Sequence, residues 1–231
     1  FGYNSALNPS LADHVLDVDK LNVSKLTVSG STADLTNTLD LQTLDTDTTT
    51  LDASAYAGIL TVNAGAATAT EISVKANAAH NITGSTKSET FNVVGTHQAT
   101  AVTINGNGGA ADTLNMSLGD GVQDFANISN IDTINFTVVG SADVTTDAAN
   151  TDLDGIDTAK SVVFTGGNSL SSVTLGGATE TLTGGTQTNV FDFSNYGGSA
   201  TLTYVQDGYN DAQLGYTHQV IGGAATTDRL N

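Results

Sequence analysis

The sequence predicts an all-β protein built as a parallel β-helix or β-roll-like solenoid, and three observations lead to that prediction. Short segments alternate apolar and polar residues, as in Leu60-Thr61-Val62 and Leu114-Asn115-Met116, which is the pattern of half-buried strands. Clusters of Gly, Asn, Ser and Asp between the segments supply tight turns. No stretch has a sustained apolar stripe at the helical period.

The spacing of these segments favours a solenoid. Two interleaved series recur every 20 residues or so; one begins near 39, 60, 82 and 102, the other near 72, 91, 114 and 134. A period of about 20 residues is the size of one solenoid coil. A β-sandwich is the alternative, because hairpin-type turn dipeptides also occur. These are Asn105-Gly106, Asp120-Gly121, Asp154-Gly155 and Asp207-Gly208.

The repetitive pattern covers residues 1–231 as one domain, with a possible weak seam near 143–157. Pro9 is the only proline, and no Ser/Gly tract divides the chain. The sequence opens without Met and stops at Asn231 inside a repeat-like segment. We therefore expect it to be part of a longer polypeptide, because a solenoid needs its end coil covered.

Composition narrows the classes of function. Lys and Arg number 6 against 24 Asp and Glu, a formal charge of -18, which disfavours nucleic acid and acidic membranes and attracts divalent cations. There is no Cys, so disulfides and thiolate metal sites are excluded. No apolar run reaches about 18 residues, so we expect no membrane insertion.

Four nine-residue segments share one frame: a polar, often Gly-rich turn, an acid or amide at the sixth position and an apolar residue at the eighth. They are 84–92, 107–115, 184–192 and 223–231. They resemble degenerate copies of the calcium-binding nonapeptide of RTX proteins. That resemblance implies calcium held by backbone carbonyls and the sixth-position side chains, which are Glu89, Asp112, Asn189 and Asp228.

Two further segments, 50–62 and 128–136, are similar to phrases of RTX-type surface-layer proteins and large secreted adhesins. The resemblance spans roughly residues 50–231. It implies type I secretion, calcium binding, and a location outside the cell, at the cell surface.

Other acidic loops have carboxylates at calcium-like spacing, although they lack the complete helix-flanked loop of an EF-hand. The candidate ligands in them are Asp152, Asp154, Asp157, Asp207 and Asp211.

The function expected from these features is structural: an extracellular protein that assembles with copies of itself into a surface layer or filament stabilised by calcium. The alternative is an adhesin module that contacts cell-surface glycans through its tyrosine-bearing end. The tyrosines are Tyr196, Tyr204, Tyr209 and Tyr216. A β-helix polysaccharide-degrading enzyme is the third possibility. We expect no enzyme, because none of the four His residues lies in a catalytic motif.

Overall fold

The computed structural model describes the chain as an all-β parallel solenoid. Within the part of the chain that it describes, no helix occurs and every paired strand is parallel to its neighbour. The described residues are 13–29, 38–65, 67, 71–76, 78–97, 102–108, 111–125, 127–146, 161–167, 172–175, 190–197, 199–202, 219–222 and 229–230.

The strands are short, and most alternate buried and exposed side chains. In chain order they are β1 (Asp13–Val15), β2 (Lys25–Ser29), β3 (Thr38–Thr43), β4 (Thr50–Ala55), β5 (Ile59–Gly65), β6 (Glu71–Lys75), β7 (Asn81–Ser85), β8 (Thr90–His97), β9 (Thr103–Asn105), β10 (Thr113–Leu118), β11 (Gly121–Gln123), β12 (Ile128–Ser129), β13 (Thr133–Val138), β14 (Asp143–Thr146), β15 (Ser161–Gly166), β16 (Ser172–Leu175), β17 (Val190–Tyr196), β18 (Ser199–Leu202), β19 (Gln219–Ile221) and β20 (Arg229–Leu230).

Three sheets run along the solenoid. In the described residues, the longest sheet, here called the spine sheet, stacks β2, β4, β6, β8, β10, β13, β15, β17 and β19. The first flank sheet contains β1, β3, β5, β7, β9 and β12, and the second flank sheet contains β11, β14, β16, β18 and β20. The two predicted series are the spine and first flank strands, so the predicted solenoid is confirmed. The sandwich alternative is wrong, because neighbouring strands are parallel and Asp120-Gly121 joins strands of different sheets.

The core lies between the sheets and is built from in-register columns. Leu51, Ile72, Phe91, Leu114 and Ile134 occupy one inward column of the spine sheet, and each is at most 1% exposed. Inward and outward positions alternate because successive strand side chains point to opposite faces. The register therefore places every apolar residue of this column inside the solenoid.

The coil changes in the middle of the described chain. Spine partners Asn115 and Asn135 are 20 residues apart, whereas Thr137 and Thr165 are 28 apart. In the same coil, among the described residues, the second flank sheet begins at β11 and the first flank sheet ends at β12. Within the predicted seam, β14 continues the second flank sheet, and residues 147–157 lie outside the described part.

Candidate functional site

A column of carboxylates lies where the chain enters the spine sheet. Glu89, Asp112 and Asp132 each come directly before a spine strand. The residues after them, Thr90, Thr113 and Thr133, are register partners, so the acids stack along the solenoid axis. The structure thus brings together two of the predicted ligands, Glu89 and Asp112, and adds Asp132.

Each carboxylate in the column accepts a backbone hydrogen bond, Asp132 and Asp112 from the preceding coil and Glu89 from its own coil. The Asp112 N–H donates to Asp132 Oδ2 at 2.8 Å, and the Glu89 N–H donates to Asp112 Oδ1 at 2.9 Å. Glu89 in turn accepts the Ser85 N–H at 3.1 Å and the Ser85 hydroxyl. Glu89 and Asp112 lie just outside strands, and these bonds satisfy their backbone N–H groups, so part of the column's role is to fix the coil corner.

The Asp112 carboxylate has one oxygen that the hydrogen bonds of the corner do not use. It is 0% exposed, and Glu89 is 1% exposed. Asp112 Oδ2 has no hydrogen-bond partner among the described residues. Burial raises the pKa of Asp112 to about 6; the hydrogen bond from the Glu89 N–H opposes the rise, and the charges of Glu89 and Asp132 add to it. A buried ionised oxygen without a partner is costly unless a proton or a cation compensates it.

Two glycines allow oxygens from successive coils to converge at this corner. A methyl group on Gly106 would overlap the Asn130 carbonyl oxygen and lie 2.6 Å from Asp112 Oδ2. A methyl group on Gly84 would lie 2.7 Å from the Gly106 carbonyl oxygen and 3.0 Å from a Glu89 carboxylate oxygen. Each glycine is therefore flanked by one carboxylate and one carbonyl oxygen.

This donor set contains only oxygen, which suits a hard cation such as calcium. Among the described residues, no three His, Cys, Asp or Glu side chains form a group that could hold a metal ion. Backbone carbonyls such as those of Gly106 and Asn130 would therefore supply a large share of the six to eight oxygens that calcium takes. The unpaired, buried Oδ2 of Asp112 fits such a ligand set.

The other predicted ligands lie outside the residues that the structure describes: Asn189, Asp228, Asp152, Asp154, Asp157, Asp207 and Asp211. Of the four tyrosines, Tyr204, Tyr209 and Tyr216 also lie outside. Tyr196 is 2% exposed and meets Phe193 edge-on, with ring centroids 6.3 Å apart. Its predicted glycan contact is therefore wrong, because the ring belongs to the core.

Two buried histidines differ in how their ring nitrogens are satisfied. His80 Nδ1 accepts the Leu60 N–H at 3.0 Å, so its Nε2 carries the proton and donates to the Lys75 carbonyl at 2.8 Å. His97 is 0% exposed, and neither of its ring nitrogens has a partner in the described residues. Burial lowers the pKa of both side chains, which favours neutral rings.

Comparison with protein-family models, with curated proteins and with solved structures gives no match. The part of the chain that the structure describes contains no helical segment that could span a membrane.

Proposed function

We propose that this chain is a structural, self-assembling extracellular protein, a unit of a bacterial surface layer or surface filament, whose coils are stabilised by calcium. The observation that supports this most strongly is the Asp112 carboxylate, fully buried beside Glu89 with Oδ2 unpaired among the described residues. A divalent cation at this corner offsets the desolvation of both carboxylates and links consecutive coils.

The charge of the chain supports a second role for calcium. At -18 overall, copies of the protein repel one another, and a bound divalent cation reduces that repulsion. Exposed carboxylates such as Asp47 and Asp120 are available to bridge neighbouring copies. Calcium then promotes both the folding of one chain and its association with the next.

The repetition of the solenoid supports assembly as the function. Strands stack at a spacing of about 4.8 Å along one axis, so a contact made at one coil can recur at the next. An outer surface with this translational order suits a lattice or a filament, in which many weak contacts add up.

Sedimentation velocity and negative-stain imaging in calcium, in magnesium and in chelator test the proposal. We expect ordered assemblies only with calcium, and a higher calcium requirement for Asp112→Asn. Asp40→Asn is the matched control, because Asp40 points outward on β3 and its carboxylate accepts a local turn bond from the Gln42 N–H. A protein that stays monomeric in every condition at high concentration would contradict the assembly function. Equal effects of the two variants would mean that calcium is attracted by the overall negative charge and is not held at Asp112.

A further inference from the structure

Three asparagines form a hydrogen-bonded ladder on the outer face of the spine sheet. Asn92, Asn115 and Asn135 are register partners. Asn135 Nδ2 donates to Asn115 Oδ1 at 2.8 Å, Asn115 Nδ2 donates to Asn92 Oδ1 at 2.8 Å, and Asn92 Nδ2 donates to Glu71 Oε1 at 2.9 Å. The next residue in the column is Val163, where the ladder ends. We call Glu71, Asn92, Asn115 and Asn135 together the amide ladder.

The amide ladder lies in an open groove of about 450 Å³. One side is shaped by a bulge in β8, where the register with β10 jumps from Val93 to Thr96 and leaves Val94 and Gly95 extra. Val94 is 46% exposed. Three hydroxyl groups line the groove beside the amides, those of Ser73, Ser117 and Thr137. The volume is that of a small-molecule site, but the lining is mainly polar.

The ladder leaves hydrogen-bonding capacity for a ligand. An asparagine amide has two N–H donors and two acceptor lone pairs, and the ladder uses one of each at Asn115. Successive amides point the same way and end on the Glu71 carboxylate, so the bonds polarise one another. The remaining donors and acceptors repeat along the solenoid axis at the strand spacing of about 4.8 Å.

We infer that this groove binds a neutral, hydroxyl-rich polysaccharide chain lying along the solenoid axis. Hydroxyl groups both donate and accept, which matches a row of amides and hydroxyls. Glu71 and the overall charge disfavour polyanions. A peptide strand is disfavoured because β8, β10 and β13 are paired on both sides, which leaves no edge for strand addition. The inference does not depend on calcium or on assembly.

Native affinity electrophoresis tests the inference, with gels containing soluble mixed-linkage β-glucan, glucomannan, dextran or polygalacturonate. We expect at least one neutral polymer, and not polygalacturonate, to retard the wild-type protein. Asn115→Val should raise the dissociation constant obtained from the retardation about tenfold, because the hydrogen bonds of the central amide are lost. Valine fits the position, since Val163 already occupies the same column. Asn81→Val, an exposed position on β7 of the first flank sheet, should change nothing.

Ser117→Ala provides a second variant that leaves the amide ladder intact and should also weaken retardation. Thermal melts of each variant separate loss of binding from loss of fold. The inference is overturned if no neutral polymer retards the wild-type protein or if polygalacturonate retards it equally. It is also overturned if folded Asn115→Val and Ser117→Ala bind like wild type, or if Asn81→Val weakens binding as much as they do.

Discussion

The early coils, up to β10, and the later coils, from β13 onward, fill the same inward column of the spine sheet with different side chains. In the early coils the column runs through Ala53, Val74, Val93 and Met116. In the later coils it contains Phe136 and Phe164, whose ring centroids are 5.3 Å apart. The aromatic residues appear where the coil lengthens and the second flank sheet replaces the first. Because protein interiors are close-packed, a wider coil needs larger side chains to fill it.

The polar features that accompany the spine sheet in the described chain are concentrated in the early coils. The carboxylate column and the amide ladder both run along the spine sheet and end in the β13 coil, at Asp132 and Asn135. Beyond it the ladder position is Val163. The comparison teaches that one sheet can continue through both regions while its core packing and its polar columns both change at the β13 coil.

The largest expected effect is in the aromatic core of the later coils. Phe136 stacks on Phe125, with ring centroids 4.9 Å apart, and also contacts Phe164. Phe136→Ala should lower the free energy of unfolding by about 3–5 kcal/mol. Val93→Ala, in the same column of the early coils, should lower it by roughly 2 kcal/mol. Urea denaturation followed by circular dichroism gives both values, and equal losses would contradict the difference in packing between the two regions.

The next effect is at the carboxylate corner. Gly106→Ala should destabilise the protein by about 1–3 kcal/mol, because the new methyl group overlaps the Asn130 carbonyl oxygen. Gly108→Ala is the control: its methyl group would meet open space, although its φ of 79° strains any other residue. We expect a smaller loss for Gly108→Ala in the same denaturation experiment. If the two variants have the same free energy of unfolding, the close contact at Gly106 does not contribute to stability.

The smallest expected effect is a pH dependence from His97. Its pKa is lowered by burial from the usual 6.5, so the folded state holds fewer protons than the unfolded state as pH falls. This contribution to stability is complete above pH 6.5 and is lost progressively below it. Asp112 acts in the opposite direction, because its raised pKa removes stability as pH rises through about 6.

Comparing wild type with His97→Leu isolates the histidine, since Asp112 and His80 are common to both proteins. Thermal melts between about pH 7.5 and pH 5 should show a steeper acid-side loss for wild type. Parallel curves for the two proteins would contradict a buried, neutral His97.

Much of the early architecture could be predicted from the sequence. Triplets such as Phe91-Asn92-Val93 alternate clearly and recur at the coil spacing, so they define the spine and first flank sheets. The sequence did not predict a third series for the second flank sheet, because its strands are short and weakly apolar: β14 reads DVTT. The coils that contain it also differ in length from the earlier coils, so its strands do not recur at the spacing of the two predicted series.

The candidate site was predicted only in part. Glu89 and Asp112 stand at the sixth position of the nonapeptide frame, whereas Asp132 lies in a segment outside that frame. A usable signal was its position directly before a strand, which it shares with the other two acids. The Gly106 carbonyl oxygen lies beside Gly84, and the Asn130 carbonyl oxygen lies beside Gly106. Both placements depend on coil register, which local sequence does not specify.

The most direct test of the account is the calcium dependence of thermal stability, measured by scanning calorimetry on wild type, Asp112→Asn and Asp40→Asn. A cation at one hundred times its Kd stabilises the folded state by about 2.7 kcal/mol, so chelation should lower the wild-type Tm by about 5 °C or more. Asp40→Asn should respond like wild type. Asp112→Asn should show a much smaller response at the same calcium concentration and be at least as stable as wild type in chelator, because it removes a buried charge. A wild-type Tm that stays within about 1–2 °C in calcium and in chelator would contradict a structural calcium site at this corner.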